Sequence, residues 1–218
     1  METQRYLHAA KKSCPAVVGL TGGIASGKST IVAWLKQQGC AILDSDVIAR
    51  EVVMPNEPAW HQIVATFGMD ILTDGTNIDR KLLAQRIFAD ASQRKLLESF
   101  VHPQIIAKLR QGSNTKRMRS PAFPPMILDI PLLFESGLTD IADQNWLVWV
   151  PREVQLHRLM ARDHLSVEEA EQRLAAQLPI DDKRALADVV IDNSGTWKDT
   201  EVLLRRLWHT LSGAESKV

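Results

Sequence analysis

The sequence predicts an α/β fold: a parallel five-stranded sheet with helices on both faces and an inserted helical domain. Gly22-Gly23-Ile24-Ala25-Ser26-Gly27-Lys28-Ser29 has the spacing G-x-x-x-x-G-K-[ST] of a phosphate-binding loop. Five apolar segments (Val17 to Leu20, Ala41 to Leu43, Met126 to Ile130, Leu147 to Val150, Val189 to Ile191) alternate with helical stretches, as in a covered parallel sheet. The gap between the second and third segments is too long for a simple crossover and reads as helical from about Arg50 to Arg110.

The loop has the flanks that its chemistry requires. Val17-Val18-Gly19-Leu20 before it suits a buried strand. After it, Ile31, Trp34 and Leu35 recur at helical spacing, and Gly39 stands where a helix C-cap belongs. Glycines let the backbone wrap a phosphate chain, so that successive N–H groups and the helix N-terminus face the anion. The segment from Gly22 to Thr30 is therefore expected to bind a nucleoside triphosphate, in a P-loop NTPase-like core. Lys28 reaches the β- and γ-phosphates in this reading, and the Ser29 hydroxyl ligates Mg²⁺.

Composition narrows the class. The 218 residues carry a formal net charge of zero, so nothing global points to nucleic acid or an anionic membrane. Six tryptophans are scattered, with no stacking stripe for single strands. The two cysteines, Cys14 and Cys40, lack the spacing of a metal site or disulfide framework and read as reduced thiols, Cys40 in the core. No apolar run reaches the roughly 20 residues of a membrane span, and the first residues lack the apolar segment of a signal peptide. The expectation is a cytoplasmic protein with no nucleic-acid or membrane partner; its oligomeric state is left open.

The second strand ends in Asp44-Ser45-Asp46. Residues just past the carboxyl ends of parallel strands line the ligand crevice. Two carboxylates at this spacing can divide labour, one near Mg²⁺ and one accepting the proton of an attacking hydroxyl. Asp44 reads equally well as the cap of a helix beginning near Val47; for Asp46 the role of base leads. Leu82, Leu83, Ile87 and Phe88, then Leu96, Leu97, Phe100 and Val101, form apolar stripes in the insertion. Gln111 to Pro125 is polar, basic and proline-rich, and is expected to be a solvated loop.

With these residues in place the chain resembles the dephospho-CoA kinase family. The resemblance is carried by Gly19 to Ile24 and Gly27-Lys28-Ser29-Thr30, then Asp44-x-Asp46-x-Ile48-Ala49-Arg50 and Asp79-Arg80 with Phe88. It continues through His102-Pro103-x-Ile105, Pro131-Leu132-Leu133-Phe134-Glu135 and Gln155-x-x-Arg158-x-x-x-Arg162. It closes with Gln177 and Ala187-Asp188-Val189-Val190-Ile191-x-Asn193. It implies transfer of a phosphoryl group from ATP, with Mg²⁺, to the ribose 3′-hydroxyl of dephospho-CoA, the last step of coenzyme A synthesis. It also implies a nucleotide-binding core at 15–49 and 126–218, an inserted substrate domain at 50–125 and a lid at 152–180; residues 1–14, which precede the resemblance, read from their composition as a flexible extension. Two departures stand out: Ala25 replaces the family's usual glycine, which asks whether that position needs a positive φ, and 111–125 is longer than typical.

Residue roles follow from the match. Arg50, Arg80 and His102 fall in the substrate site; His102, preceding a proline, is expected at a helix break. Leu132, Leu133, Phe134 and Glu135 follow the third sheet strand, and the apolar three divide between core packing and a wall for the acceptor. Asp129 is set aside as a Walker-B acid, because the family does not hold an acid there reliably. Arg158 and Arg162, four apart on one helix face, suit a lid that neutralises transition-state charge. Ser166 to Glu169 reads as a capping box opening the next lid helix, Gln177 as the lid's far hinge, and Asn193 as facing the base of ATP or simply terminating the last strand. A guanine-nucleotide switch is disfavoured by the absence of any N-K-x-D string. Another nucleoside or nucleotide kinase is disfavoured by the later motifs.

Overall fold

The computed structural model describes residues 14–88, 90–119 and 123–212. The expected extension at 1–14 lies outside them except for Cys14. The described chain forms two compact units, Asp44–Gly112 and the remainder.

The larger unit is built on a five-stranded parallel sheet. β1 (Val17–Gly22) leads through the loop into α1 (Lys28–Gln37), and β2 (Ile42–Asp44) follows. Every residue of β1 is buried, as a central strand covered on both faces must be. Val18 and Leu20 share a core with Ile31, Trp34 and Leu35 of α1. Cys40 belongs to the same core, as expected.

The smaller unit holds α2 (Ser45–Glu51), α3 (Pro58–Phe67), the short hairpin β3 (Leu72–Thr73) and β4 (Asn77–Ile78), α4 (Arg80–Phe88) and most of α5 (Ala91–Arg119). Its core is Ile63, Phe67, Ile71 and Leu83, joined by Ile87, Leu97, Phe100 and Val101. The apolar stripes thus point inward as expected, except that Leu96 is exposed. The side chain of Phe88 lies outside the described part.

Two expectations fail in α5. His102 does not mark a break, because the helix runs through Pro103 without interruption. A proline inside a helix removes one hydrogen bond and costs about 3 kcal/mol, and here the partly buried Leu97, Phe100 and Val101 before it pack against the core of the unit. The supposed loop at 111–125 is also helical as far as Arg119. From Ser113 onward it groups with the sheet unit rather than with the insertion. Lys116 Nζ donates to the Pro124 carbonyl at 3.0 Å, and Arg117 binds Asp143 and the Ile141 carbonyl. These cations serve as struts, so a polar stretch without apolar periodicity becomes helix through tertiary contacts.

The chain returns through β5 (Met126–Asp129) and β6 (Gln144–Trp149) to α6 (Arg152–Asp163) and α7 (Val167–Ala175). α8 (Ile180–Leu186), β7 (Val189–Asp192) and α9 (Trp197–Ser212) complete it. The sheet order is β2-β5-β1-β6-β7. β1 pairs with β5 on one side and β6 on the other. Strand order therefore reverses about β1, which opens a crevice beyond its carboxyl end. The phosphate loop sits at that point.

Candidate active site

Gly27 caps α1 with φ +87°, and no acidic side chain stands in the helix's first turn. The positive end of the helix is thus left to an external anion. Ser29 and Thr30 are exposed on that turn. Within the loop, the Ser26 N–H donates to the Gly23 carbonyl at 3.1 Å, and the buried Ser26 hydroxyl has no hydrogen-bond partner among the described residues. Ala25 adopts φ +59°, so this position does take the left-handed conformation, although its residue is not glycine.

Lys28 Nζ forms an ion pair with Asp129 at the end of β5. Asp129, set aside in the sequence, is 7% exposed and belongs to the site by geometry. Its position as the last residue of the strand beside β1 was the available signal. Asn193 corrects another expectation. Its side chain does not face outward toward a base: Nδ2 donates to the Ser26 carbonyl at 2.8 Å, and Oδ1 accepts from Thr200 Oγ1 at 2.9 Å. Arg158 Nη2 donates to the Asn193 carbonyl at 3.1 Å, which puts this arginine beside the loop. Arg162 is exposed and paired with Asp163, whose other oxygen accepts from Arg173 at 2.7 Å. The hydrogen bond from Arg162, with a smaller contribution from Arg173, holds the Asp163 carboxyl below the usual carboxylate range. α7 opens with the expected capping box, Ser166 with Glu169.

The segment after β5 divides by function of position. Thr21 Oγ1 ties it to β1 by donating to the Pro131 carbonyl at 2.9 Å. Leu133 is fully buried against Gly19, so it is core and not a wall for a ligand. Leu132 is exposed and Phe134 half-buried. Glu135 does not project freely: Oε1 accepts from the Leu178 N–H at 3.1 Å and lies 2.6 Å from Nζ of the fully buried Lys183.

Asp44, Asp46, Arg50, Arg80 and His102 belong to the other unit. Asp44 Oδ1 accepts from the N–H groups of Asp46 and Val47, at 2.8 and 3.2 Å, and so caps α2. Of the two readings left open for Asp44, the cap is realised. Asp46 and Arg50 are exposed on α2, Arg80 at the start of α4 and His102 on α5. Among the described residues no three His, Cys, Asp or Glu side chains cluster to hold a metal ion.

A parallel sheet with a phosphate loop after its central strand, and a lysine at the start of the following helix, defines a P-loop nucleotide-binding protein. The sequence profile of the dephospho-CoA kinase family matches residues 16–199. The chain belongs to that family. It is 48% identical over 183 residues to the dephospho-CoA kinase of Shouchella clausii, covering 84% of this chain and 92% of that one. It is 48% identical over 194 residues to that of Geobacter sulfurreducens, covering 88% and 96%. The structure of dephospho-CoA kinase from Campylobacter jejuni superposes with a TM-score of 0.71 at 30% identity, over 91% of this chain and 98% of that one.

Proposed function

We propose that this protein transfers the γ-phosphoryl group of ATP to the ribose 3′-hydroxyl of dephospho-CoA, giving coenzyme A. The observation that carries the reading is a built phosphate loop, with Lys28 at its end, in a chain that matches the family from residue 16 to 199. Gly22 to Thr30 cradle the triphosphate. Lys28 exchanges its Asp129 partner for phosphate oxygens when ATP binds. Arg158 and Arg162 supply positive charge as the γ-phosphoryl passes between oxygens.

Asp46 is the base that accepts the ribose proton. Arg50, Arg80 and His102 hold the acceptor, together with the exposed Leu132 and the half-buried Phe134. The donors suit Mg²⁺, a hard cation that takes oxygen ligands and keeps phosphates and waters around it. Ser29 offers an exposed hydroxyl beside Lys28, and Asp44 retains one carboxylate oxygen outside its cap bonds. Mg²⁺ bound with ATP neutralises phosphate charge. None of the helices among the described residues is long and apolar enough to cross a membrane.

ADP release measured by a coupled assay tests the reading. Turnover is expected with dephospho-CoA and not with nucleosides or nucleoside monophosphates. Equal turnover with those acceptors, or none with dephospho-CoA, refutes it.

A further inference from the structure

Three carboxamides from outside the phosphate-loop motif grip the loop by its peptide groups. Gln155 Nε2 donates to the Ile24 carbonyl at 2.8 Å, and Gln177 Oε1 accepts from the Ile24 N–H at 2.9 Å. Asn193 Nδ2 donates to the Ser26 carbonyl at 2.8 Å. They come from α6, from the turn after α7 and from the turn after β7. Gln155 is 3% and Asn193 9% exposed. The loop is shaped to admit them. A Cβ on Gly23 would fall 2.2 Å from Gln155 Nε2, and one on Gly27 would fall 2.3 Å from Asn193 Nδ2. Two glycines of the motif thus make room for protein amides as well as for phosphate.

Peptide geometry says what this grip does. In a trans peptide the carbonyl and the next N–H point in opposite directions. A donor on the Ile24 carbonyl therefore turns the Ala25 N–H away from Gln155. A donor on the Ser26 carbonyl turns the Gly27 N–H away from Asn193. N–H groups aimed off the clamp in this way form an anion-binding concavity. A loop without these anchors has to be ordered at the expense of binding energy.

We propose that Gln155, Gln177 and Asn193 are positioning residues that hold the phosphate loop in its anion-binding form before nucleotide arrives, with Gln177 linking that form to the end of the lid. The inference rests on the reading of the loop as the ATP site. Glu135 anchors the residue next to Gln177: its carboxylate takes the Leu178 N–H and sits beside Lys183. The lid's return segment is thereby bound at adjacent residues to the loop and to the turn after β5.

The two glutamines act with opposite polarity, and this separates the proposal from simple packing. Gln155 serves as donor and Gln177 as acceptor, so glutamate can replace Gln177 but not Gln155. ATP dissociation constants by calorimetry, melting midpoints without nucleotide and the KM for dephospho-CoA at saturating ATP are measured for Gln155→Glu, Gln155→Met, Gln177→Glu and Gln177→Met. Gln155→Met is included because Gln155→Glu also buries a charge. Should the buried Gln155 variants fail to fold, the Gln177 pair decides alone.

Gln155→Glu, Gln155→Met and Gln177→Met are expected to weaken ATP binding by about tenfold, the effect of one lost backbone partner. Gln177→Glu restores binding to within about twofold of wild type, since its carboxylate still accepts the N–H. The KM for dephospho-CoA stays unchanged throughout. Gln177→Glu binding as weakly as Gln177→Met, or folded Gln155→Met binding like wild type, overturns the proposal while leaving the ATP site intact. A wild-type protein that binds no ATP overturns the reading of the site and this inference with it.

Discussion

Ala25 offers a test in which folding and function are read together. It adopts φ +59° in the phosphate loop. For a residue with a Cβ the left-handed conformation costs roughly 1–2 kcal/mol, which glycine does not incur. Glycine in turn loses more freedom on folding, by roughly 0.4–1 kcal/mol. The difference leaves Ala25→Gly more stable by about 0.5–1 kcal/mol. For a protein of this size that raises the melting midpoint by about 1–4 °C. Ala25→Val goes the other way, because a β-branched residue at positive φ is a true outlier. Thermal denaturation without nucleotide reads the stability, and calorimetry reads ATP binding. Ala25→Gly is expected to keep its ATP affinity because the backbone path is unchanged; Ala25→Val is expected to lose stability and affinity together. A lower midpoint for Ala25→Gly refutes the reasoning, since packing by the alanine methyl would then outweigh the backbone strain.

Other outcomes follow from the site. Lys28→Ala abolishes turnover and removes the cation beside buried Asp129, so it lowers the melting midpoint; adding Asp129→Asn recovers stability but not activity. Asp46→Asn lowers turnover by roughly 10²–10⁴-fold with ATP and dephospho-CoA binding retained; normal turnover places the base elsewhere. Asp44→Asn keeps the α2 cap and the melting midpoint, whereas Asp44→Ala costs about 1 kcal/mol, read by denaturant titration. Arg158→Ala and Arg162→Ala reduce kcat more than they weaken ATP binding, and equal losses at both stages point to a surface role. Burial pushes the Cys40 thiol up to about 12. The folded state thus keeps it protonated, and stability falls as pH rises from about 9 toward 12, while the unfolded thiol ionises. Burial also raises Cys14, whose thiol is less enclosed. At pH 8 a thiol reagent is expected to modify Cys14 well before Cys40 in the folded protein.

The sequence by itself determined the features whose physics is local. The glycine spacing before Lys28, the apolar runs of the sheet and the Ser166–Glu169 box each act through neighbours a few residues away. Periodicity and spacing therefore report them directly. Asp46, Arg158 and Arg162 enter through the family resemblance alone, because the partners proposed for them are ligands and not neighbours in the chain. Tertiary structure alone decided the rest. Lys28 and Asp129 are 101 residues apart in sequence, and only the pairing of β1 with β5 brings them into contact. Leu133, in a run divided between core packing and a wall for the acceptor, and Asn193, read as facing the base or terminating the strand, both serve the protein's own interior. Which way a side chain points depends on what packs against its strand. The helix through Pro103 to Arg119 breaks local preference, because buried contacts and the bonds of Lys116 and Arg117 outweigh one lost hydrogen bond and a poor apolar pattern. Local chemistry placed the phosphate loop in the chain; long-range packing decided which side chains hold it in shape.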